Sequence, residues 1–282
     1  MLAGTAATLL LAGCGRASTT TTPRRALPTD DGRVVRYGPH PDQYAVLRKP
    51  SGTARGLVVL LHGGYWSGAY GLDLMEPLAA DLVGHGHATW NVEYRRIGTG
   101  GGFPATFADV AAAIDRVAGL GLDPRLPVTV VGHSAGGHLA AWAASRDGRT
   151  PGGPPRVTAT ATVSLSGVLC LAAADREGLG GGAAAALMGG HATDHAAAYA
   201  LADPVRLVPA RGQLQVLHAR DDQVVPRSQS TDYVAADHTA GGTARLELVP
   251  GDHFSLIDPS SAAWQRTRTL VEDVGAAAPA GS

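Results

Sequence analysis

The sequence predicts an α/β fold, a mostly parallel central sheet with helices on both faces. Three observations carry that expectation. Solidly apolar runs of strand length, such as Leu57 to Leu61, alternate with segments whose apolar residues recur at helical spacing. The runs lack the in-out alternation of a half-exposed strand, as expected where both sheet faces are covered. At the centre, the β-branched run Val128, Thr129, Val130, Val131 passes straight into Gly132-His133-Ser134-Ala135-Gly136 and then into Ala- and Leu-rich helical sequence. That is strand, sharp turn, helix, with a serine at the apex and glycines where bulk would obstruct the turn.

Composition narrows the function classes. The chain has 282 residues, 45% hydrophobic and 17% charged, with 23 basic against 24 acidic residues and a net charge of -1. It is long enough to bury a full core. The near-neutral balance offers no basic stripe for nucleic acid and no acidic tail. Two cysteines, Cys14 and Cys170, exclude a disulfide-rich scaffold.

Residues 1-13 are expected to be a leader. The apolar run Leu2 to Ala12 is too short to span a bilayer as a helix. It ends in Leu11-Ala12-Gly13-Cys14, which resembles the lipobox of bacterial lipoproteins. That resemblance implies cleavage before Cys14, lipidation of its thiol and export to the cell surface. Residues 14-32, rich in Thr, Ser and Pro, would be the tether. The charged stretch that ordinarily opens such a leader is missing, and without a working leader the protein would be cytoplasmic.

The globular domain is expected over residues 33-274. Two short strands fall between Arg33 and Lys49, separated by the turn Gly38-Pro39-His40-Pro41. A strand over Gly56 to Leu61 runs into His62-Gly63-Gly64-Tyr65-Trp66, and a helix is expected from Leu72 to Val83. His87 to Tyr94 reads as a strand. A helix follows from Pro104 to about Leu120, then the serine segment, then a strand over Arg156 to Leu165. Between Gly167 and Pro209 the register breaks, and residues 167-209 are expected to form a small lid-like insertion with weak helices at Ala183 to Met188 and Asp194 to Leu201. The alternation resumes with a strand at Gln213 to His218, a helix at Ser228 to Ala240, a strand at Arg245 to Val249 and a helix at Ser261 to Val274. Residues 275-282 are expected to be a disordered tail.

A serine hydroxyl becomes an effective nucleophile only when a base takes its proton, and that base needs an acid to hold its tautomer. Two downstream segments supply candidates at strand ends. Asp221-Asp222-Gln223-Val224-Val225-Pro226 follows one strand and Asp252-His253-Phe254 follows the next. Ser134, Asp222 and His253 therefore stand in the order Ser, Asp, His, each just after a strand.

These segments together resemble the α/β-hydrolases of the esterase and arylformamidase type. His62-Gly63-Gly64-Tyr65-Trp66 resembles the HGGxW loop of kynurenine formamidases and their bacterial feruloyl-esterase-like relatives, and Gly132 to Leu139 resembles their nucleophile elbow. Asp222 with Val225-Pro226, and Asp252-His253-Phe254, resemble their acid and base loops. Ala219 stands where many relatives carry glycine. The resemblance implies a serine hydrolase of small carboxylic esters that needs no cofactor or metal, with Ser134 as nucleophile, His253 as base and Asp222 as acid. Backbone N–H groups of Ala135 and of Gly64 or Tyr65 would form the oxyanion hole. Tyr65, Trp66 and Phe254 are candidate pocket residues, although packed aromatics are the commoner outcome. An arylformamidase or amidase is the alternative enzyme, and a non-catalytic binding protein on the same fold the alternative of another class. The pairs His85/His87 and His191/His195 lack supporting ligands for a metal.

Overall fold

The computed structural model describes residues 32–277. Cys14, the leader and the tether up to residue 31 lie outside them, as do residues 278–282. Eight strands form one sheet: β1 (Arg33–Arg36), β2 (Tyr44–Arg48), β3 (Leu57–Leu61), β4 (Ala88–Val92), β5 (Val128–His133), β6 (Ala161–Leu165), β7 (Gln213–Ala219) and β8 (Arg245–Val249). Their order is β1-β2-β4-β3-β5-β6-β7-β8. β1 and β2 are antiparallel additions at one edge, and β3 to β8 run parallel. Every residue of β2 to β6 is buried, which is why those runs are mostly apolar and lack in-out alternation.

Helices α1 (Glu76–Gly84) and α8 (Ala262–Ala277) cover one face, where Leu78, Leu82 and Trp264 pack on Val58, Leu60, Val131 and Val163. The Trp264 indole N–H donates to Asp81 at 2.7 Å and fastens the two helices together. Helices α2 (Ala105–Asp115), α3 (Ala135–Ala144) and α7 (Ser228–Thr239) lie on the other face, above Val59, Val130 and Val216. The sheet order reverses between β3 and β5, so the crevice beyond their carboxyl ends is the natural ligand position in such a fold. α8 runs back from that end, so Asp273 and Val274 lie beside the starts of β3, β5, β7 and β8 at the opposite end of the sheet, while β1 begins level with its middle, Arg33 opposite Leu47 and Leu47 opposite Trp90.

Several elements differ from their sequence readings. The strand read over Arg156 to Leu165 begins only at Ala161, because the Arg156 and Val157 N–H groups turn aside to the Asp115 carboxylate at 2.9 and 3.3 Å. The insertion holds three helices, α4 (Leu171–Arg176), α5 (Leu179–Met188) and α6 (Ala196–Ala202), where the sequence pointed to two. α4 is held at its start by Asp203, whose carboxylate accepts the N–H groups of Leu171 and Ala172. Within α5 only Ala183 to Met188 is right-handed. Gly178 and Gly180 to Gly182 all have positive φ, a left-handed turn open to glycine. The last helix continues through Ala277, so Gly275 to Ala277 are helical where the sequence suggested a tail.

Candidate active site

β5 ends at His133 and α3 begins at Ala135, so Ser134 alone makes the turn between them. It sits at φ 54°, ψ −117°, a strained conformation for a residue with a side chain. Its N–H donates to Leu165 O at 2.8 Å, and its carbonyl receives the first helical bond, from His138. It occupies the N-cap position without making a side-chain cap, which leaves the hydroxyl for another use. The two flanking glycines are required by contact. A Cβ on Gly136 would stand 2.1 Å from Leu61 O, and one on Gly132 2.1 Å from Gly136 O.

The second loop follows β3. Gly64, Tyr65 and Trp66 take φ values of 102°, 53° and 55°, so three consecutive residues are in the left-handed region. A Cβ on Gly63 would lie 3.1 Å from Ser134 Cβ, which places this loop directly beside the elbow. Among the described residues, the N–H groups of Gly64, Tyr65 and Ala135 donate to no protein acceptor.

The third and fourth loops follow the adjacent strands β7 and β8. His253 Nδ1 donates to Asp222 Oδ2 at 2.7 Å, and both side chains are almost wholly buried. Asp222 Oδ1 accepts the Val224 and Val225 N–H groups at 2.8 and 2.9 Å. Burial on its own raises the Asp222 carboxyl, but the bonds from His253 and the Val225 N–H, the His253 charge and the Ser166 hydroxyl outweigh it. They hold the carboxyl well below the usual range. Asp221 and Asp252 point elsewhere: Asp221 is exposed, and Asp252 accepts from Phe254, Ser255 N–H and Ser255 Oγ within its own turn.

His133 ties the elbow to the His253 loop, its Nε2–H donating to His253 O at 2.9 Å with the two rings 4.5 Å apart. Burial, with His253 nearby, lowers the His133 imidazole to about 3. His138 is lowered to about 4 by burial and donates to Ala202 O at 2.9 Å. His218 lies under the acid, bonded to Ser230 Oγ and Val225 O.

The aromatic candidates separate. Phe254 is 62% exposed, with its ring edge-on to His253 at 5.4 Å. Tyr65 is half-buried against Gly180 of the insertion, and its phenol is raised by burial, by Tyr70 and by Asp222. Trp66 corrects the sequence reading: it is 2% exposed and packs edge-on to His138 at 5.1 Å, a core residue and not a pocket wall. Tyr65 and Trp66 share the same left-handed backbone, yet Trp66 lies in the core against His138 while Tyr65 stays near the surface. Tyr70, which the sequence reading passed over, is 43% exposed and lies on Gly64, where a Cβ would come within 2.4 Å of its ring.

Cys170 is buried, and its thiol is pushed up to about 12 chiefly by that burial, so it is no nucleophile. Among the described residues no three His, Cys, Asp or Glu side chains gather into a metal-holding group, and no helix is long and apolar enough to cross a membrane. His85 and His191 instead contact Asp81 O and the Asp175 carboxylate, at 2.8 and 2.9 Å.

Known structures share this architecture. A carbohydrate esterase from gut microbiota superposes with a TM-score of 0.71 at 20% identity, covering 86% of this chain and 95% of its own. Thermogutta terrifontis esterase 2, phosphonylated by sarin, gives 0.71 at 22% identity, covering 92% of this chain and 100% of its own. Esterase B from Lactobacillus rhamnosis, with a tributyrin phosphonate inhibitor, gives 0.74 at 18% identity, covering 89% and 87%. At these identities the likeness is one of fold: the α/β-hydrolase fold. No curated protein matches the sequence. The family model BD-FAE matches residues 46–236, a span that holds the Gly64 loop, the elbow and Asp222 and stops short of His253. With well over half of its length matched, the chain belongs to the BD-FAE family.

Proposed function

We propose that this protein is a serine ester hydrolase that cleaves small carboxylic esters through an acyl-enzyme on Ser134. The observation that carries the reading is the 2.7 Å Asp222–His253 contact beside a strained serine turn. In this mechanism Ser134 Oγ attacks the acyl carbon while His253 Nε2 takes its proton and passes it to the departing alcohol. Water then repeats the sequence in reverse and releases the acid. Asp222 holds Nδ1–H and stabilises the imidazolium. The N–H groups of Ala135 and of Gly64 or Tyr65 receive the oxyanion. The esterase names of the three structural relatives support the same reaction class.

Small residues, Gly63, Gly64, Ala135 and Gly136, surround the serine, and Tyr65, Tyr70 and Phe254 crowd its approaches. A short acyl group fits that setting. Nitrophenyl esters of rising chain length, assayed beside N-formylkynurenine, test the proposal. Activity is expected on acetyl and butyryl esters and should fall beyond about eight carbons, since each unburied methylene forgoes about 0.8 kcal/mol. Peak activity on long-chain esters refutes the short-acyl assignment, and much faster turnover of N-formylkynurenine identifies a formamidase. A chain that neither hydrolyses an ester nor takes a fluorophosphonate label on Ser134 is a binding protein.

The Leu11-Ala12-Gly13-Cys14 segment supports export with lipid on Cys14. One acyl chain holds only marginally, so multiple acylation at that cysteine is part of the proposal. Cys14→Ser should release the protein from the membrane fraction or block processing. Wild-type protein in the cytosol with its N-terminal Met1 intact counts against it.

A further inference from the structure

Behind the loop that carries Gly64 and Tyr65 lies a buried charged cluster that takes no part in bond making. Its centre is Glu93, just past β4 and 3% exposed. Glu93 Oε1 accepts the Tyr94 N–H at 3.1 Å and lies 3.1 Å from His62 Nε2 and 2.8 Å from Arg96 Nη1. Oε2 accepts the Leu72 N–H at 3.2 Å. Arg96 in turn pairs with Asp42 at 3.0 Å and donates to the Tyr70 carbonyl. One carboxylate thus grips both ends of the segment from His62 to Leu72, and its arginine grips Tyr70.

The rest of the segment is tied to the same stretch of chain. Ile97 N–H donates to Trp66 O at 2.8 Å, and Gly68 N–H to Ile97 O at 2.9 Å. Tyr94 Oη donates to His62 O at 2.7 Å, and its ring stacks on His62 at 4.3 Å. His62 Nδ1 stands 2.8 Å from Gly63 O. Both ring nitrogens of His62 therefore face acceptors.

A loop with three successive positive φ values persists only where its surroundings over-determine it. A buried carboxylate is itself costly unless it is fully paired, and this one has a partner on every side. We infer that Glu93 is a positioning residue for the oxyanion loop: it fixes His62 and Leu72 so that the Gly64 and Tyr65 N–H groups are aimed before substrate arrives. The inference rests on the esterase reading for its kinetic consequence, though not for its structural one.

Glu93→Gln keeps the shape and removes the charge that holds the cluster. Hydrogen exchange should quicken at Ser67, Gly68, Tyr70 and Leu72 while the amides of β5 and α3 keep wild-type protection. On nitrophenyl acetate kcat should fall between about 10- and 100-fold with KM within twofold, as misplacement of a catalytic group by about 1 Å produces. Affinity for a trifluoromethyl ketone should fall by the same factor. Ser134 Oγ adds to its carbonyl carbon, the proton passes to His253, and the oxygen becomes the oxyanion. Unchanged exchange in the loop overturns the inference, as does exchange that quickens equally across the sheet, which marks Glu93 as a residue of overall stability. Should Glu93→Gln not fold, Arg96→Lys loosens the same clamp from the Tyr70 side and carries the same expectations. If the wild type shows no Ser134-dependent hydrolysis, the esterase reading fails while the exchange measurement still decides the role of Glu93.

Discussion

Asp222 and His253, 31 residues apart in the chain, meet at 2.7 Å because β7 and β8 pair in a register that ends on Ala219 opposite Val249. Each side chain then needs only a short loop to reach the other. A one-residue slip of β8 would reverse its side-chain directions and carry the His253 loop away from the acid.

That relationship makes Asp222, and not its neighbours, the sensitive acid. Asp222→Asn should lower kcat on the order of 10⁴-fold, the loss seen when a triad acid can no longer hold the base in its working tautomer. Asp221→Asn should be nearly silent, since Asp221 is exposed. Steady-state rates of the two variants decide the matter, and a damaging Asp221→Asn with a silent Asp222→Asn reverses the assignment.

Ser134→Ala should lower kcat on the order of a million-fold, because nucleophile and base fail as a unit in a serine triad. The fold should survive, as the turn is fixed by backbone bonds and not by the hydroxyl. Rates with a circular dichroism melt check both halves of the expectation. A Ser134→Ala enzyme with wild-type activity would falsify the mechanism.

The aromatic residues should divide in the same way as their burial. Trp66→Ala should cost about 3–5 kcal/mol, as for a large side chain removed from a core. Phe254→Ala should leave the melting temperature near wild type and raise KM, since its ring faces solvent beside His253. Denaturant melts and ester kinetics on both variants test this, and equal stability losses would contradict it.

Stability should fall on the acid side of pH 6.5. His87, His133, His138 and His218 all have imidazoles lowered in the fold, chiefly by burial, His133 to about 3 and His138 to about 4. Above pH 6.5 both folded and unfolded forms keep these rings neutral. Below it the unfolded chain binds protons that the folded one refuses, and each such ring removes about 1.4 kcal/mol per pH unit until its folded pKa is reached. Asp222, held low in the fold, adds a loss of the same sign below the ordinary carboxylate range. Asp203, raised by burial, acts in the opposite sense and higher, as pH falls from its folded pKa to the ordinary carboxylate range, where it offsets part of the histidine loss. Urea melts at pH 7.5, 6 and 5 should show a falling midpoint, and a flat or rising one would count against these burial effects.

Much of this was legible in the sequence because the features are local. A β-branched run ending at Gly-His-Ser-Ala-Gly specifies its own turn, and apolar runs of five residues specify buried strands. The choice of Asp222 over Asp221 came from the resemblance of its loop, with Val225-Pro226, to the acid loop of the related hydrolases, and in the structure the Val224 and Val225 N–H groups bond that carboxylate. What was not legible depends on long-range contact. With Glu93 and Tyr94 read as the end of a strand, nothing in the sequence marks the ion pairs this stretch makes once Asp42, Asp109 and His62 fold against it. Its one local signal was position, a carboxylate near the end of a strand, at the end where ligands bind. The left-handed glycines Gly178 and Gly180 to Gly182 gave no periodic signal at all, and the burial of Trp66 rests on its packing against His138, far away in the chain.

The end of α8 lies at the end of the sheet away from Ser134, beside the starts of β3, β5, β7 and β8. The molecule therefore has a working front and an attachment back. An affinity tag or solid support joined behind α8 holds the enzyme from that side and leaves the Ser134 crevice turned outward to the medium.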